Sequence, residues 1–283
     1  MARLLTRFDM PWPVKGLVES TGYETQPKGT TVDCQNVRAY DPGTGRSRGG
    51  QRAGLTKYSS ARTADGKVQD ISQVVARDTP GSQAEVGART VTTYAVTNGT
   101  VAKVTTSGFT TATNGSSALS SSVPAIFSAE LFGVVYFADG ASTKQWTAST
   151  NTVATWSASS GSLPIDSSNE PRLIETWRGR IVCSGVSTDP HNWYMSAVGD
   201  ARNWNYSPST PTATMAVAGN NADAGKSPDI VNAMCPYNDD ILLFFGDHTI
   251  YQMTGDPAEG GRLDLISDTI GAPFGRPYCK SPE

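Results

Sequence analysis

The chain has 283 residues, 37% of them hydrophobic and only 17% charged, with a net charge of -3. That length admits one large all-β domain or two ordinary ones, and the Ser, Thr, Asn and Gly that fill the deficit exclude an architecture of long helices. Recurrent aromatic and β-branched clusters exclude a disordered chain, and the near-neutral charge excludes a general affinity for nucleic acid or anionic membranes.

The charge is unevenly placed. Residues 1–62 hold ten Lys/Arg and five Asp/Glu, a balance of +5, whereas the remainder holds thirteen and twenty-one, a balance of -8. This asymmetry sets the N-terminal part aside as an arm with a task of its own. The arm is punctuated by Pro11, Pro13, Gly16, Gly22, Pro27, Gly29, Pro42 and Gly43, and by further glycines up to Gly54. Short strands are expected only around LVES and TVDCQNVRAY. We therefore expect an extended basic arm over 1–62 and a body over 63–283. A stretch this long with so little structure of its own is ordered by the body or by a partner.

Within the arm, NVRAYDPGTGRSRGGQRAGL (36–55) concentrates Arg38, Arg46, Arg48 and Arg52. Two readings compete. A nucleic-acid-binding RGG segment would repeat its triplet and interleave aromatics. Here RGG occurs once and Tyr40 is the lone aromatic. A loop whose guanidinium groups pair with carboxylates on a neighbouring chain accounts for the same residues. These four arginines are the candidate assembly-interface residues.

The pattern changes at about residue 68. YAVTNGTVAKVTT (94–106) reads as a hairpin around Asn98-Gly99, the pair best suited to a type I′ turn. ELFGVVYFADGASTKQWTAS (130–149), ETWRGRIVCSGVSTDPHNWYMS (175–196) and CPYNDDILLFFGDHTIYQMTG (235–255) resemble one another. Each shows a bulky residue, a short turn, an apolar run, a second turn and an aromatic strand. Aligning Phe132 with Trp177 and Tyr237 brings Val134–Phe137 onto Ile181–Cys183 and Ile241–Phe245. It also brings Gln145-Trp146 onto Trp193-Tyr194 and Ile250-Tyr251. The anchors recur at intervals of 45 and 60 residues. Repeats of this length, each made of several short antiparallel strands, predict a β-propeller-like body, because blades stacked radially bury one another's faces. A β-sandwich or unrelated hairpins is the alternative. The Ser/Thr/Gly-rich stretches 105–122 and 147–169 fit interblade loops or exposed edge strands.

Catalytic chemistry finds little footing. The two histidines, His191 and His248, stand in or beside strands with no ligand cluster near them in sequence. Cys34, Cys183, Cys235 and Cys279 are too widely spaced for a metal knuckle and read as free thiols. Asp239-Asp240, Asp247 and Asp256 read as turn formers unless two carboxylates face one another across a pocket. No nucleophile elbow, calcium loop or phosphate loop occurs. We expect no catalytic residue, no cofactor and no metal. No apolar run approaches the roughly 18 residues of a membrane span, and the first residues do not read as a secretory leader, so synthesis in a cytoplasm is expected.

The arm runs PVKGLVES, a Gln26-Pro27 step, Asn36-Val37-Arg38 with a Pro/Gly turn, and an arginine-rich turn closing on Gly54-Leu55. The later FFGDHTIYQMTGDPAEGGRLDLISDTIGAPFG follows strand, turn and strand. Over 14–58 and 235–277 the chain resembles tail nozzle and head–tail connector proteins of short-tailed bacteriophages, the tail tubular protein B type. The resemblance implies a propeller body, assembly with itself in a ring below a portal or adaptor, and a virion location. It implies a channel through which genomic DNA passes without sequence-specific contacts. Such proteins are usually much longer, and RPYCKSPE reads like the start of another blade. Either this is a truncated form, or the last blade is closed by the arm or a partner.

Two rivals stand beside this reading. A glycan-binding or glycan-cleaving propeller in host recognition would use exposed Trp146, Trp156, Trp177, Trp193 and Trp204 to stack on sugars; otherwise these side chains pack the blades. A nucleic-acid binder would use the basic arm.

Overall fold

The computed structural model describes residues 18, 25, 27–30, 37–38, 50–51, 67–77, 89–165 and 169–279. The chain divides into two compact units, Met1–Tyr58 and Ser59–Glu283. In the first, β1 (Val37–Arg38) pairs antiparallel with β2 (Gly50–Gln51). The strand expected within TVDCQNVRAY is thus present in part; most of the expected arm lies outside the described residues.

The second unit is all-β, with no α-helix among the described residues. Four antiparallel sheets follow one another along the chain, each of four strands. Blade 1 is β3 (Val68–Arg77), β4 (Arg89–Thr97), β5 (Thr100–Thr105) and β6 (Gly108–Thr111). Blade 2 is β7 (Phe127–Leu131), β8 (Val134–Ala138), β9 (Thr143–Thr147) and β10 (Thr152–Thr155). Next, β11 (Ser160–Gly161) crosses ahead of blade 3. Blade 3 is β12 (Leu173–Trp177), β13 (Arg180–Val186), β14 (Asp189–Met195) and, after a detour, β16 (Val217–Ala218). The detour carries β15 (Asn203–Trp204), which pairs parallel with β11. Blade 4 is β17 (Ala233–Pro236), β18 (Ile241–Phe245), β19 (Ile250–Thr254) and β20 (Arg262–Ser267).

The first strands of successive blades touch, β3 with β7, β7 with β12 and β12 with β17. This is a propeller-like arrangement, as the repeats predict. The stretches 105–122 and 147–169 supply both outer strands, β6 and β10, and interblade connections, so each half of that expectation has its place.

The turns explain why these segments fold as hairpins. Asn98 and Gly99 both take positive φ, 47° and 76°, the type I′ geometry that matches the twist of β4 and β5. Phe132-Gly133 and Arg178-Gly179 do the same at the first hairpins of blades 2 and 3. Here the sequence alignment needs correcting by one residue. Leu131 pairs with Val134 and Trp177 with Arg180, and the Tyr237 amide bonds the Ile241 carbonyl. Leu131, not Phe132, is therefore the counterpart of Trp177 and Tyr237, and Arg180, not Ile181, answers Val134. Phe132 occupies the turn itself and is 79% exposed.

The core lies between blades, in three clusters. Tyr94 of blade 1 meets Phe137 edge-on at 5.9 Å and Trp146 at 5.2 Å. Between blades 2 and 3, Tyr136 packs on Trp156 and Trp156 on Trp204, with Ile174 and Ile181 beneath. Between blades 3 and 4, Trp193 meets Phe244 beside Trp177, Leu242 and Met253. Large rings dominate because blades diverge outward and wide side chains fill the gap.

Candidate functional site

Polar groups gather along the first strands, which the sheet pairing leaves free on one edge. The carbonyls on that edge need donors. Gln69 of β3 is one hub: its backbone carbonyl accepts the Ile126 amide, and its side chain donates to Ser120 and Val123 carbonyls at 2.7 and 2.9 Å. Thr176 of β12 donates its hydroxyl to the Glu130 carbonyl of β7 at 2.8 Å. Trp177 Nε1 donates to the Asn238 carbonyl ahead of β18 at 2.8 Å.

The segment after β20 completes the set. The Ala272 amide donates to the Gly246 carbonyl, and the Gly275 amide to the Asn232 carbonyl, both at 2.9 Å. These two bonds anchor the segment on blade 4 and aim Arg276 at the neighbouring blades. Arg276 Nη2 donates to the Ser128 carbonyl of β7 at 2.7 Å and to the Ile174 carbonyl of β12 at 3.0 Å. Its Nε pairs with Glu175 Oε1 at 2.6 Å, and the guanidinium lies 5.5 Å from the centre of the Phe127 ring. The Tyr278 hydroxyl donates to the same Glu175 oxygen at 3.0 Å, and the ring stacks on Phe245. One residue thus ties blades 2, 3 and 4 together.

Beside this clasp opens a cavity of about 440 Å³, whose polar lining comes from Ser128, Glu130, Glu175, Thr176, Arg276 and Tyr278. Two carboxylates in one cavity invite a glycosidase reading, but both are engaged. Glu130 Oε1 accepts the Gly133 amide of its own hairpin, and Glu175 is held by Arg276 and Tyr278. Deeper in, Asp70 Oδ2 accepts the hydroxyls of Ser128 at 2.6 Å and Tyr94 at 3.1 Å. Burial raises the Asp70 carboxyl above its usual range despite these bonds, and it pushes the Tyr94 phenol well up.

A second buried cation holds blade 3 together. Arg180 is fully enclosed and donates to the carbonyls of Ser196 at 2.9 Å, Ala213 at 2.7 Å and Met215. Asp256, from the loop after β19, faces it at 3.4 Å. Burial lowers the guanidinium's affinity for its proton, and Asp256 opposes that effect.

The sequence-derived candidates fare as follows. Arg38 lies in β1, while Arg46, Arg48 and Arg52 lie outside the described residues. All five tryptophans offered for sugar stacking are 0–2% exposed and pack the blades. The blade-packing reading therefore holds for all five, and the rival's exposed stacking platforms are not found: each indole fills an interblade gap. Cys183 and Cys235 are buried and in no disulfide, Cys279 is exposed, and Cys34 lies outside the described residues. Burial drives the Cys183 thiol far above its usual range, so it stays protonated. Asp239 and Asp240 sit in a turn, as expected, and Asp240 also pairs with Arg178 at 3.5 Å. Asp247 accepts Asn232 Nδ2 at 2.6 Å. Asp256 does more than form a turn, since it faces both Arg180 and Arg178. Among the described residues, no three His, Cys, Asp or Glu side chains gather where a metal could bind. No described helix is long and apolar enough to cross a membrane. Sequence reasoning missed Arg276, Glu175, Asp70 and Arg180, whose partners lie in other strands or other blades.

No protein-family model matches the chain, and no curated protein matches it. Among solved structures, a chain in a crystal structure of a nidogen/laminin complex is similar over 64% of this chain and 61% of its own length, at 12% identity and a TM-score of 0.40.

Proposed function

We propose that the protein is a structural component of a bacteriophage virion, a tail nozzle or head–tail connector subunit that assembles as a ring around the DNA-ejection channel. The observation that carries this reading is how the body spends its polar groups. Glu130, Glu175, Asp70, Arg180 and Arg276 are all committed to bonds that lock hairpins and blades. A catalytic carboxylate pair needs one group free to protonate a leaving oxygen and another free to attack or activate water. In the cavity, Glu130 braces its own hairpin through Oε1 and Glu175 Oε1 is held by Arg276 and Tyr278, which supports a structural use of both. The reading also draws on the arm and blade motifs that resemble nozzle proteins.

In this role the chain is no enzyme. It is made in the host cytoplasm and ends in the virion tail. Its partners are further copies of itself, a portal or adaptor ring, and DNA in transit. Arg38, Arg46, Arg48 and Arg52 dock the arm on carboxylates of a neighbouring subunit. The body, acidic in net charge, repels the DNA backbone and keeps the genome mobile.

The test is light scattering with negative-stain imaging of the full chain, alone and mixed with a purified short-tailed phage portal–adaptor complex. Rings, or recruitment to the portal complex, are expected. A monodisperse monomer that ignores the complex overturns the reading. Heat released on titration with host polysaccharide would instead favour a glycan-binding propeller.

A further inference from the structure

Blade 4 carries most of the body's charge. Residues 229–268 hold eight Asp/Glu and one Arg, a balance of -7, against -8 for the whole of 63–283. The arm holds the opposite balance, +5. Each copy of the chain therefore presents an acidic blade and a basic arm, and each is a counterpart for the other on a second copy.

Blade 4 also differs at its outer edge. The outer strands of blades 2 and 3 bury their aliphatics, with Val153 and Val217 each 2% exposed. On β20, Leu265 and Ile266 are each 53% exposed, and Ile270, just beyond the strand, is 61% exposed. The register explains this. Ile250 lies opposite Ser267 and Tyr251 opposite Leu265, so Ile266 is the extra residue of a bulge. The alternation that would bury every second side chain breaks there. Leu263, ahead of the bulge, still packs on the core. The order of the sheet ends at β20, so one row of its backbone N–H and C=O groups has no ladder partner among the described residues.

An exposed apolar edge of this kind is a template for a further strand. The charges around it select which strand. Glu259 precedes β20 and Asp268 follows it, both exposed, and Asp264 lies within it, paired with Arg262 at 2.7 Å. A second β20 laid antiparallel on this edge would bring like carboxylates together, whereas a basic strand would meet opposite charges. The arm supplies such a strand. β1 belongs to the arginine-bearing stretch 36–55, and its sheet with β2 has no third strand among the described residues.

We propose that β20 receives the arm of a second copy, with β1 adding to blade 4 as a fifth strand and the arm's arginines meeting Glu259, Asp264 and Asp268. The proposal rests on the assembly reading above and names the carboxylates on which the arm docks. Arm to blade is a heterologous contact, so its repetition closes a ring where the rotation between copies permits.

The test uses the full chain. Glu259→Lys, Asp264→Lys and Asp268→Lys together reverse the edge, and Arg46→Glu with Arg48→Glu reverses the arm. The circular dichroism of each should match the wild type. Each set alone should raise the concentration at which rings form by about ten- to a hundredfold, and both sets in one chain should bring it back to within about threefold of the wild type. In a Cys34→Ser, Cys279→Ser background, copies carrying Val37→Cys are mixed with copies carrying Ile266→Cys and treated with a short bismaleimide, alone and on the portal–adaptor complex. A cross-linked dimer in the mixture, absent with either variant alone, is expected. Rings that form normally with each charge set and give no mixed cross-link overturn this docking while leaving the assembly reading standing. A loss with either set that the combination does not relieve overturns the pairing of arm with edge. Dimers from Ile266→Cys alone also overturn it, since the occupant is then a second β20, as do cross-links only to a portal or adaptor protein. A monomer under every condition overturns both readings.

Discussion

Arg276 Nε lies 2.6 Å from Glu175 Oε1, and the same guanidinium reaches the Ser128 and Ile174 carbonyls of two neighbouring blades. A planar fork presents donors in a fixed spread across three separated acceptors, a geometry that the compact head of a lysine does not match. The contact acts on the free edges of β7 and β12, where no further strand supplies donors. It is therefore a substitute for sheet pairing at the inner edge.

Removing that fork has a measurable cost. Arg276→Ala leaves Glu175 with Tyr278 as its donor and frees two carbonyls, at about 2 kcal/mol for a partly exposed, hydrogen-bonded charge pair. For a body of this size the melting temperature should fall by roughly 4–8 °C. Arg276→Lys should recover less than half of the loss, because the compact head of a lysine does not match the spread of the three acceptors. A thermal melt of the three proteins checks this; full recovery by lysine would show that charge alone, not the bridging geometry, matters.

Asp70 predicts a pH dependence. Burial raises its carboxyl above the ordinary value, so the folded state favours the protonated form more than the unfolded chain does. The resulting stabilisation is complete below the unfolded pKa of about 4 and is lost as pH rises through the folded value. Asp70→Asn keeps an acceptor for Ser128 and Tyr94 but does not titrate. The melting temperature of the wild type relative to Asp70→Asn should thus fall as pH is raised from 3.5 to 7. A difference that stays constant over that range would mean that Asp70 does not carry the effect. Asp229 works in the opposite sense. Burial alone would raise it, but hydrogen bonds led by the His248 amide and the Thr249 hydroxyl outweigh burial and lower it. Its contribution is present above the ordinary carboxyl value and lost in acid.

Local chemistry made the hairpins legible. Asn98-Gly99 announces a type I′ turn by itself, and the recurring apolar runs announce the blades. The one-residue slip at Phe132 has a physical source: a large aromatic at positive φ mimics the strand anchor Leu131 beside it. The tryptophans were legible as core once the propeller was assumed, because interblade gaps require wide side chains. Arg276 was not legible, since its partners lie 101 to 148 residues away and nothing beside it in sequence marks them. Arg180 follows a glycine turn, where nothing local marks it for burial, yet it is wholly enclosed. Tertiary carbonyls that converge on one guanidinium leave no periodic trace.

Arg180 and Asp256 should respond unequally to substitution. Arg180→Ala strands one buried and two part-buried carbonyls and a carboxylate, a loss of about 3–5 kcal/mol, enough to deplete soluble protein at 37 °C. Asp256→Asn leaves the guanidinium its three carbonyl acceptors and should cost only about 1 kcal/mol. Denaturant titration of both variants distinguishes the two roles. Equal losses would mean that the ion pair, rather than the carbonyl cage, holds Arg180 in place.

Gly99 offers the sharpest test of the turn chemistry. It takes φ +76°, and a Cβ built on it would lie 2.3 Å from the Leu119 carbonyl oxygen. Gly99→Ala therefore meets two penalties, a left-handed backbone and a collision with the Leu119 carbonyl, whose residue is tied to this turn through its amide. The Leu119 amide donates to the Gly99 carbonyl at 3.0 Å, so the collision cannot be relieved without breaking the tie between this turn and the blade 1–2 connection. A loss of about 2–4 kcal/mol is expected, with exchange protection reduced at the Leu119 amide first. Asn98→Gly, which keeps the same φ and meets no clash, should lie within about 1 kcal/mol of the wild type. If both variants melt alike, the turn tolerates rearrangement and the close approach of Gly99 to Leu119 is not what fixes this hairpin.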